Sequence, residues 1–188
     1  LTREKVRDAC AGGSWDNFNK ALRQTPPGNE GNISLHVDQP EITPPLVKTG
    51  VCRRDKNGGR AGSFPPPVEI RAVVEGTFLS MRIHGARIGL KPTSILATGG
   101  ASANLELVKV MSNVFGVPVF VGEQANSAAL GAAYRAIHGW ACAKAGRFVP
   151  FAEAIPGTAP FKRAAESDGA SHAVYTSMMT RYEQLEKG

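Results

Sequence analysis

An α/β fold is predicted by three observations: a short apolar run that stops on paired glycines and passes straight into a helical stretch, a second short apolar run downstream, and helical periodicity on either side of that run. In the first, Thr93-Ser94-Ile95-Leu96-Ala97-Thr98 ends on Gly99-Gly100 and a helical stretch opens at Ala101. Bare glycine backbone at such a junction leaves the helix's unpaired N–H groups and positive dipole end facing outward, a setting in which a nucleotide is seated. A glycine turn between a strand and a helix is also a common connector, so the pair alone leaves both readings open.

Taken in order, residues 1–24 read as helical with a break at Gly12-Gly13. Ser14 is a candidate N-cap and Asp16 favours the first turn, which puts Trp15 at the start of a helix. With Phe18 and Leu22 at helical spacing, that tryptophan taken alone describes core packing. Residues 25–67 are rich in Pro, Gly and Asn; Ile33 to Val37 alternate as an edge strand would, and the segment suits a hairpin-like excursion rather than core. Ile70, Val73, Val74, Met81 and Ile83 predict a long helix over 68–86, entered after Pro65-Pro66-Pro67, which cannot themselves extend it. Leu107, Val108, Met111, Val114 and Phe115 give one apolar face to a helix over 103–115, which Gly116 ends. Val117-Pro118-Val119-Phe120-Val121 reads as a short buried strand, with proline tolerated near its start. Asn126-Ser127 then caps a helix so rich in alanine, with Gly131 inside it, that something should press closely against it; the strand–Gly-Gly turn is the expected neighbour. Residues 152–169, with Pro156 and Pro160, read as a surface linker, and 171–187 as a terminal helix facing inward through Val174, Met178 and Leu185. No internal repeat is present.

Composition bounds the function. A chain of 188 residues, 42% hydrophobic, can bury about 70% of the surface its unfolded form exposes, enough for one core. No apolar run is long enough to span a membrane, so no membrane partner is expected. Three cysteines, odd in number and unclustered, suit a reducing cytosol and a cytoplasmic location. The net charge of +6 is dispersed except at Arg53-Arg54-Asp55-Lys56, which adjoins Asn57-Gly58-Gly59 and reads as a solvated loop tip. Charge therefore points to a polyanionic ligand such as ATP and to no nucleic-acid partner. No pair among the 16 acidic residues argues for acid–base work, and the 4 histidines show no metal-ligand spacing, with His84 and His138 expected on helix surfaces. The chain opens on Leu1 with no basic-plus-apolar segment, and reads as an internal piece of a longer protein.

The strings Ile95-Leu96-Ala97-Thr98-Gly99-Gly100-Ala101-Ser102-Ala103-Asn104, Phe115-Gly116-Val117-Pro118-Val119 and Asn126-Ser127-Ala128-Ala129-Leu130-Gly131-Ala132-Ala133-Tyr134-Arg135-Ala136 together resemble the C-terminal domain of the FGGY carbohydrate kinases. Ser14 to Leu22, Glu41-Ile42-Thr43-Pro44 and Val68 to Gly76 resemble, in the same order, the branch of that family that acts on D-xylulose. The likeness spans nearly the whole chain and thins after about Phe151. It implies a ribonuclease-H-like, actin-like ATPase domain, the C-terminal half of a two-domain sugar kinase, incomplete at its N-terminus. Residues 1–155 would form the nucleotide-binding domain, with 25–67 as its excursion, and 156–188 a linker and C-terminal helix. The resemblance also implies ATP with Mg²⁺, and D-xylulose as the sugar. Gly99, Gly100 and Ala101 would lie against the adenosine, and Trp15 would border the ATP site. Asn104, one turn into its helix, would reach the adenine edge, its amide offering a donor and an acceptor. Otherwise Asn104 is a solvated polar residue in a first helical turn. The family's catalytic aspartate, phosphate loops and most sugar contacts precede the start of this sequence, so no catalytic or metal-ligating residue is assigned and the piece alone is expected to be inactive. A non-catalytic actin- or Hsp70-like module is the alternative; only Trp15, Glu41 to Pro44 and Arg71 to Gly76 separate the two.

Overall fold

A computed structural model describes residues 1–42, 48–122, 126–157 and 160–187. Two helices open the chain, α1 (Thr2–Ala11) and α2 (Trp15–Gln24), parted at the predicted break. Gly12 and Gly13 both turn with positive φ (60° and 77°), a conformation that glycine adopts without a steric penalty. Ser14 caps α2, its hydroxyl oxygen accepting the Asn17 N–H at 3.3 Å.

The excursion contains an antiparallel pair, β1 (Ile33–Val37) and β2 (Gly50–Arg54), with Ile33 opposite Arg54. Contrary to expectation it belongs to the core: Ile33, Ser34 and Val37 are buried, and β1 packs on α3 (Pro66–Arg87). Gly76 makes that approach possible, since a Cβ there would stand 2.6 Å from the Ser34 carbonyl oxygen and 2.8 Å from the Tyr182 hydroxyl. Pro66 and Pro67 form the first two positions of α3 instead of stopping short of it, because N–H groups there have no helical partner to lose.

α3 is the axis of the molecule. Its Ile70, Val73, Val74, Phe78, Leu79 and Ile83 join Phe18 and Leu22 of α2, Leu107 and Val114 of α4 (Leu105–Phe115), and Tyr175 and Tyr182 of α7 (Gly169–Lys187) in one buried cluster. Charge is buried with them. Glu75 Oε1 accepts from Arg71 Nη1 (2.9 Å), the Tyr175 hydroxyl (2.8 Å) and Gly28 N (2.9 Å), while Arg71 also donates to Thr25 Oγ1 and the Leu22 carbonyl. Burial pushes the Glu75 carboxyl up against these partners.

A small sheet flanks this cluster: β3 (Ile95–Ala97) lies parallel to β4 (Val119–Val121), and β5 (Lys162–Ala165) runs antiparallel on the far side of β4. Ala97, Val108, Val119 and Ala165 fill its underside. The stretch expected as a linker thus supplies β5, together with the short helix α6 (Phe151–Ala154). Lys162-Arg163-Ala164-Ala165 has neither alternation nor β-branched residues to announce a strand; pairing with β4 imposes it. α7 buries Tyr175, Met178, Tyr182 and Leu185, and Val174 is 40% exposed.

α5 (Ser127–Ala145) departs furthest from expectation. Among the described residues no atom lies within 4 Å of a Cβ built at Gly131, and only His138 of the helix is buried. Alanine's intrinsic propensity sustains such a helix without a close neighbour. His138, expected on the surface, sits between the Phe148 and Phe151 rings and bonds the Val149 carbonyl through Nε2 at 2.7 Å. His84 is half-buried, paired with Glu186 at 2.9 Å.

Candidate functional site

β3 carries the chain to a turn that is open on its outer side. Gly99 takes φ 83°, ψ 177°, and among the described residues a Cβ at Gly99 or Gly100 would meet nothing within 4 Å. The chain does not enter an α-helix there as the sequence predicts, but makes a 3-10 turn over Gly100–Ala103. Ser102 tightens it, its hydroxyl and its N–H both donating to the Gly99 carbonyl at 2.7 and 3.0 Å.

This turn moves Asn104 from one turn inside the helix to the N-cap of α4. Its Oδ1 accepts from Glu106 N at 3.1 Å and Leu107 N at 3.3 Å. The first N–H groups of α4 therefore face Asn104 rather than solvent. The unpartnered donors belong to the turn instead: among the described residues, no acceptor meets the N–H of Gly100 or Ala101.

Asn104 is also the link to α2. Its Nδ2 donates to Asn19 Oδ1 at 2.8 Å. Asn19 follows Trp15 by one helical turn, and one turn further Arg23 reaches Glu106 Oε1 at 3.3 Å. Asn19 and Arg23, on one stripe of α2 with Trp15, thus contact the N-terminal end of α4. Trp15 heads that stripe, half-buried, with its ring edge-on to Phe18 (centroids 5.1 Å apart) and the Arg7 guanidinium 4.8 Å from its centroid. It packs against the core as the spacing of its neighbours suggests.

Of the five residues singled out from the sequence, Gly99, Gly100, Ala101 and Asn104 lie along this turn and the start of α4, while Trp15 lies one helical turn before the Asn19 that Asn104 bonds. Ala101 looks elsewhere as well: with Phe78, Met81, Leu96 and Val108 it lines an apolar cavity of about 550 Å³ whose walls include none of the other four. Asn19 escaped the sequence reading. Its only signal was a four-residue offset from Trp15, which becomes informative once α4 is known to lie alongside.

The basic run is not the free tip expected. Arg53 grips the buried Glu69 with two bonds (2.7 and 2.9 Å), and His36 stands 3.2 Å from the same carboxylate. Burial pushes Glu69 up, but the hydrogen bonds from His36 and Arg53, with their charge, outweigh it and hold the carboxyl at about 2. Its last residue, Lys56, and the turn that follows, Asn57 to Arg60, are exposed. Among the described residues no three His, Cys, Asp or Glu side chains cluster as metal ligands, and no helix is long and apolar enough to cross a membrane. Thr43 and Pro44 of the Glu41 to Pro44 string lie outside the described residues.

Comparison with known proteins identifies the family. Residues 1–140 match the model for the FGGY family of carbohydrate kinases, C-terminal domain. The chain is 42% identical over 190 residues to the xylulose kinase of Rattus norvegicus, covering all of this chain and 34% of that protein. It is 44% identical over 169 residues to xylulose kinase 2 of Arabidopsis thaliana, covering 84% of this chain and 30% of that protein. It therefore spans about a third of the length of these relatives. Among solved structures, ligand-bound xylulose kinase from Lactobacillus acidophilus superposes with a TM-score of 0.70 at 20% identity, over 98% of this chain and 37% of that one. The fold is the actin-like, ribonuclease-H-like ATPase fold of the sugar kinases.

Proposed function

This chain belongs to the FGGY family of carbohydrate kinases, and from that premise we propose that it is the nucleotide-facing part of an ATP-dependent kinase that phosphorylates D-xylulose. The observation that carries the sugar is the 42% identity to a xylulose kinase over the whole chain. What supports the nucleotide assignment is local. Among the described residues, the glycine turn is open where a Cβ would otherwise stand, its Gly100 and Ala101 N–H groups meet no protein acceptor, and Asn104 Nδ2 keeps a second N–H beyond its bond to Asn19. Flat rings approach bare backbone closely, and free N–H groups suit an anionic or acceptor-rich ligand. In this reading Gly99, Gly100 and Ala101 lie along the adenosine, Asn104 meets the base edge, and Trp15 borders it.

The domain's share of catalysis is positioning. It holds the nucleotide so that closure of the two domains brings the γ-phosphoryl in line with a primary hydroxyl of the sugar. We assign the base that takes the hydroxyl proton, an aspartate, and the loops that hold the phosphates, to the portion of the kinase preceding this chain. Mg²⁺, carried on the phosphates, would neutralise their charge. The test is ADP release by the full-length kinase with D-xylulose and a panel of other ketoses and polyols. Turnover of about 1 s⁻¹ or more, with the highest kcat/KM for D-xylulose, is expected. Full activity with another sugar and none with D-xylulose would overturn the substrate assignment.

A further inference from the structure

The amide of Asn104 cannot be turned freely. Its oxygen accepts two backbone N–H groups, those of Glu106 and Leu107, which only an oxygen can do, so its nitrogen is fixed on the opposite side. That nitrogen gives one of its two hydrogens to Asn19 Oδ1 at 2.8 Å. The contact fixes Asn19 in turn: its oxygen faces Asn104, and its own NH₂ meets no partner among the described residues. Backbone anchors both sides, because Asn19 is held mid-helix between Trp15 and Arg23, and Arg23 is tied to Glu106 on the turn that Asn104 caps.

We infer that Asn19 is a positioning residue for nucleotide recognition, holding the Asn104 amide so that Asn104 offers a bound base only an N–H donor. The inference rests on the nucleotide assignment made above and adds a polarity to it. The Asn104 oxygen already accepts two backbone N–H groups, so Asn104 recognises an acceptor, a ring nitrogen of the purine, and not the exocyclic amine. This replaces the donor-and-acceptor edge that an unconstrained asparagine would present.

The test is ATP titration and steady-state kinetics on the full-length kinase with Asn19→Leu, Asn19→Asp, Asn104→Ser and the Asn19→Leu/Asn104→Ser pair. Serine keeps the cap of α4 while removing the amide, and aspartate keeps the acceptor that Asn104 uses. Asn19→Leu should raise KM for ATP about five- to tenfold with kcat at saturating ATP held, and Asn19→Asp should restore it to within about threefold. In the Asn104→Ser background, Asn19→Leu should change affinity by less than about twofold, because the interaction it removes is already gone. Nucleotide analogues read the polarity: a triphosphate lacking the exocyclic amine should bind as ATP does, and one of the analogues with a single ring nitrogen replaced by carbon should bind about tenfold more weakly. If Asn104→Ser itself leaves ATP binding unchanged, the nucleotide assignment fails and this inference with it. If Asn104→Ser weakens binding while Asn19→Leu does not, or weakens it equally in both backgrounds, the assignment stands and the positioning role is wrong. Loss of affinity on removing the exocyclic amine alone overturns the donor-only polarity.

Discussion

Gly99 and Gly100 ask different things of a substitution. Gly99 has a φ of 83°, which side-chain-bearing residues adopt at a cost, whereas Gly100 carries no such constraint and faces open space. Gly100→Val is therefore the cleaner probe. It should leave the melting temperature of the full-length kinase within a few degrees of wild type, keep sugar binding, and weaken ATP by at least about tenfold, or ~1.4 kcal/mol, in a calorimetric titration. An unchanged titration in the folded variant would remove the glycine pair from the site. The pair was legible in the sequence because an apolar run ending on two glycines before a helix is a local pattern. Asn104 was legible as a residue but not as a geometry. The 3-10 turn over Gly100–Ala103 delays α4 to Leu105, and which N–H groups an asparagine caps depends on where the helix starts. Asn19 was illegible, since its importance comes from a contact 85 residues away along the chain.

At the scale of elements, α3 explains a string that the sequence marked only by resemblance. Glu69, Arg71, Glu75 and Gly76 are the points where the excursion is fastened to the core: Glu69 to Arg53 and His36, Arg71 to Thr25 and Leu22, Glu75 to Gly28, and Gly76 to β1. The Glu69 tether has a pH signature. Its folded-state value of about 2 lies below the ordinary glutamate value of 4.5, so its stabilisation is present above about pH 4.5 and is lost as pH falls toward 2. Glu69→Gln should cost about 1–3 kcal/mol near pH 7 and flatten the loss of stability between pH 4.5 and 2, measured by denaturant unfolding at a series of pH values. Parallel curves for the two proteins would show that the carboxylate contributes nothing specific. Periodicity revealed α2, α3 and α4, because each has an apolar stripe of its own. It could not reveal β5, whose Lys-Arg-Ala-Ala sequence becomes a strand through pairing with β4, nor that α5 would bury little more than His138.

In the whole molecule, one helix-rich cluster around α3 and a three-stranded sheet meet along α4, and the glycine turn lies where β3 leaves the sheet for α4 beside α2. The α/β order was readable from the sequence, but the depth of each element was not, since burial depends on partners far along the chain. The excursion shows this: its Pro/Gly-rich composition reads as periphery, yet Asn29, Ile33, Ser34 and Val37 are buried beneath α3 and α7. The central claim is that ATP meets this domain at the glycine turn and the adjoining stripe of α2. Amide hydrogen exchange of the full-length kinase, with and without saturating ATP, tests that most directly. The account predicts that ATP slows exchange in peptides covering 98–107 and 14–20 and leaves 50–62 unchanged; protection elsewhere in the chain, with both of those segments unaffected, would contradict it.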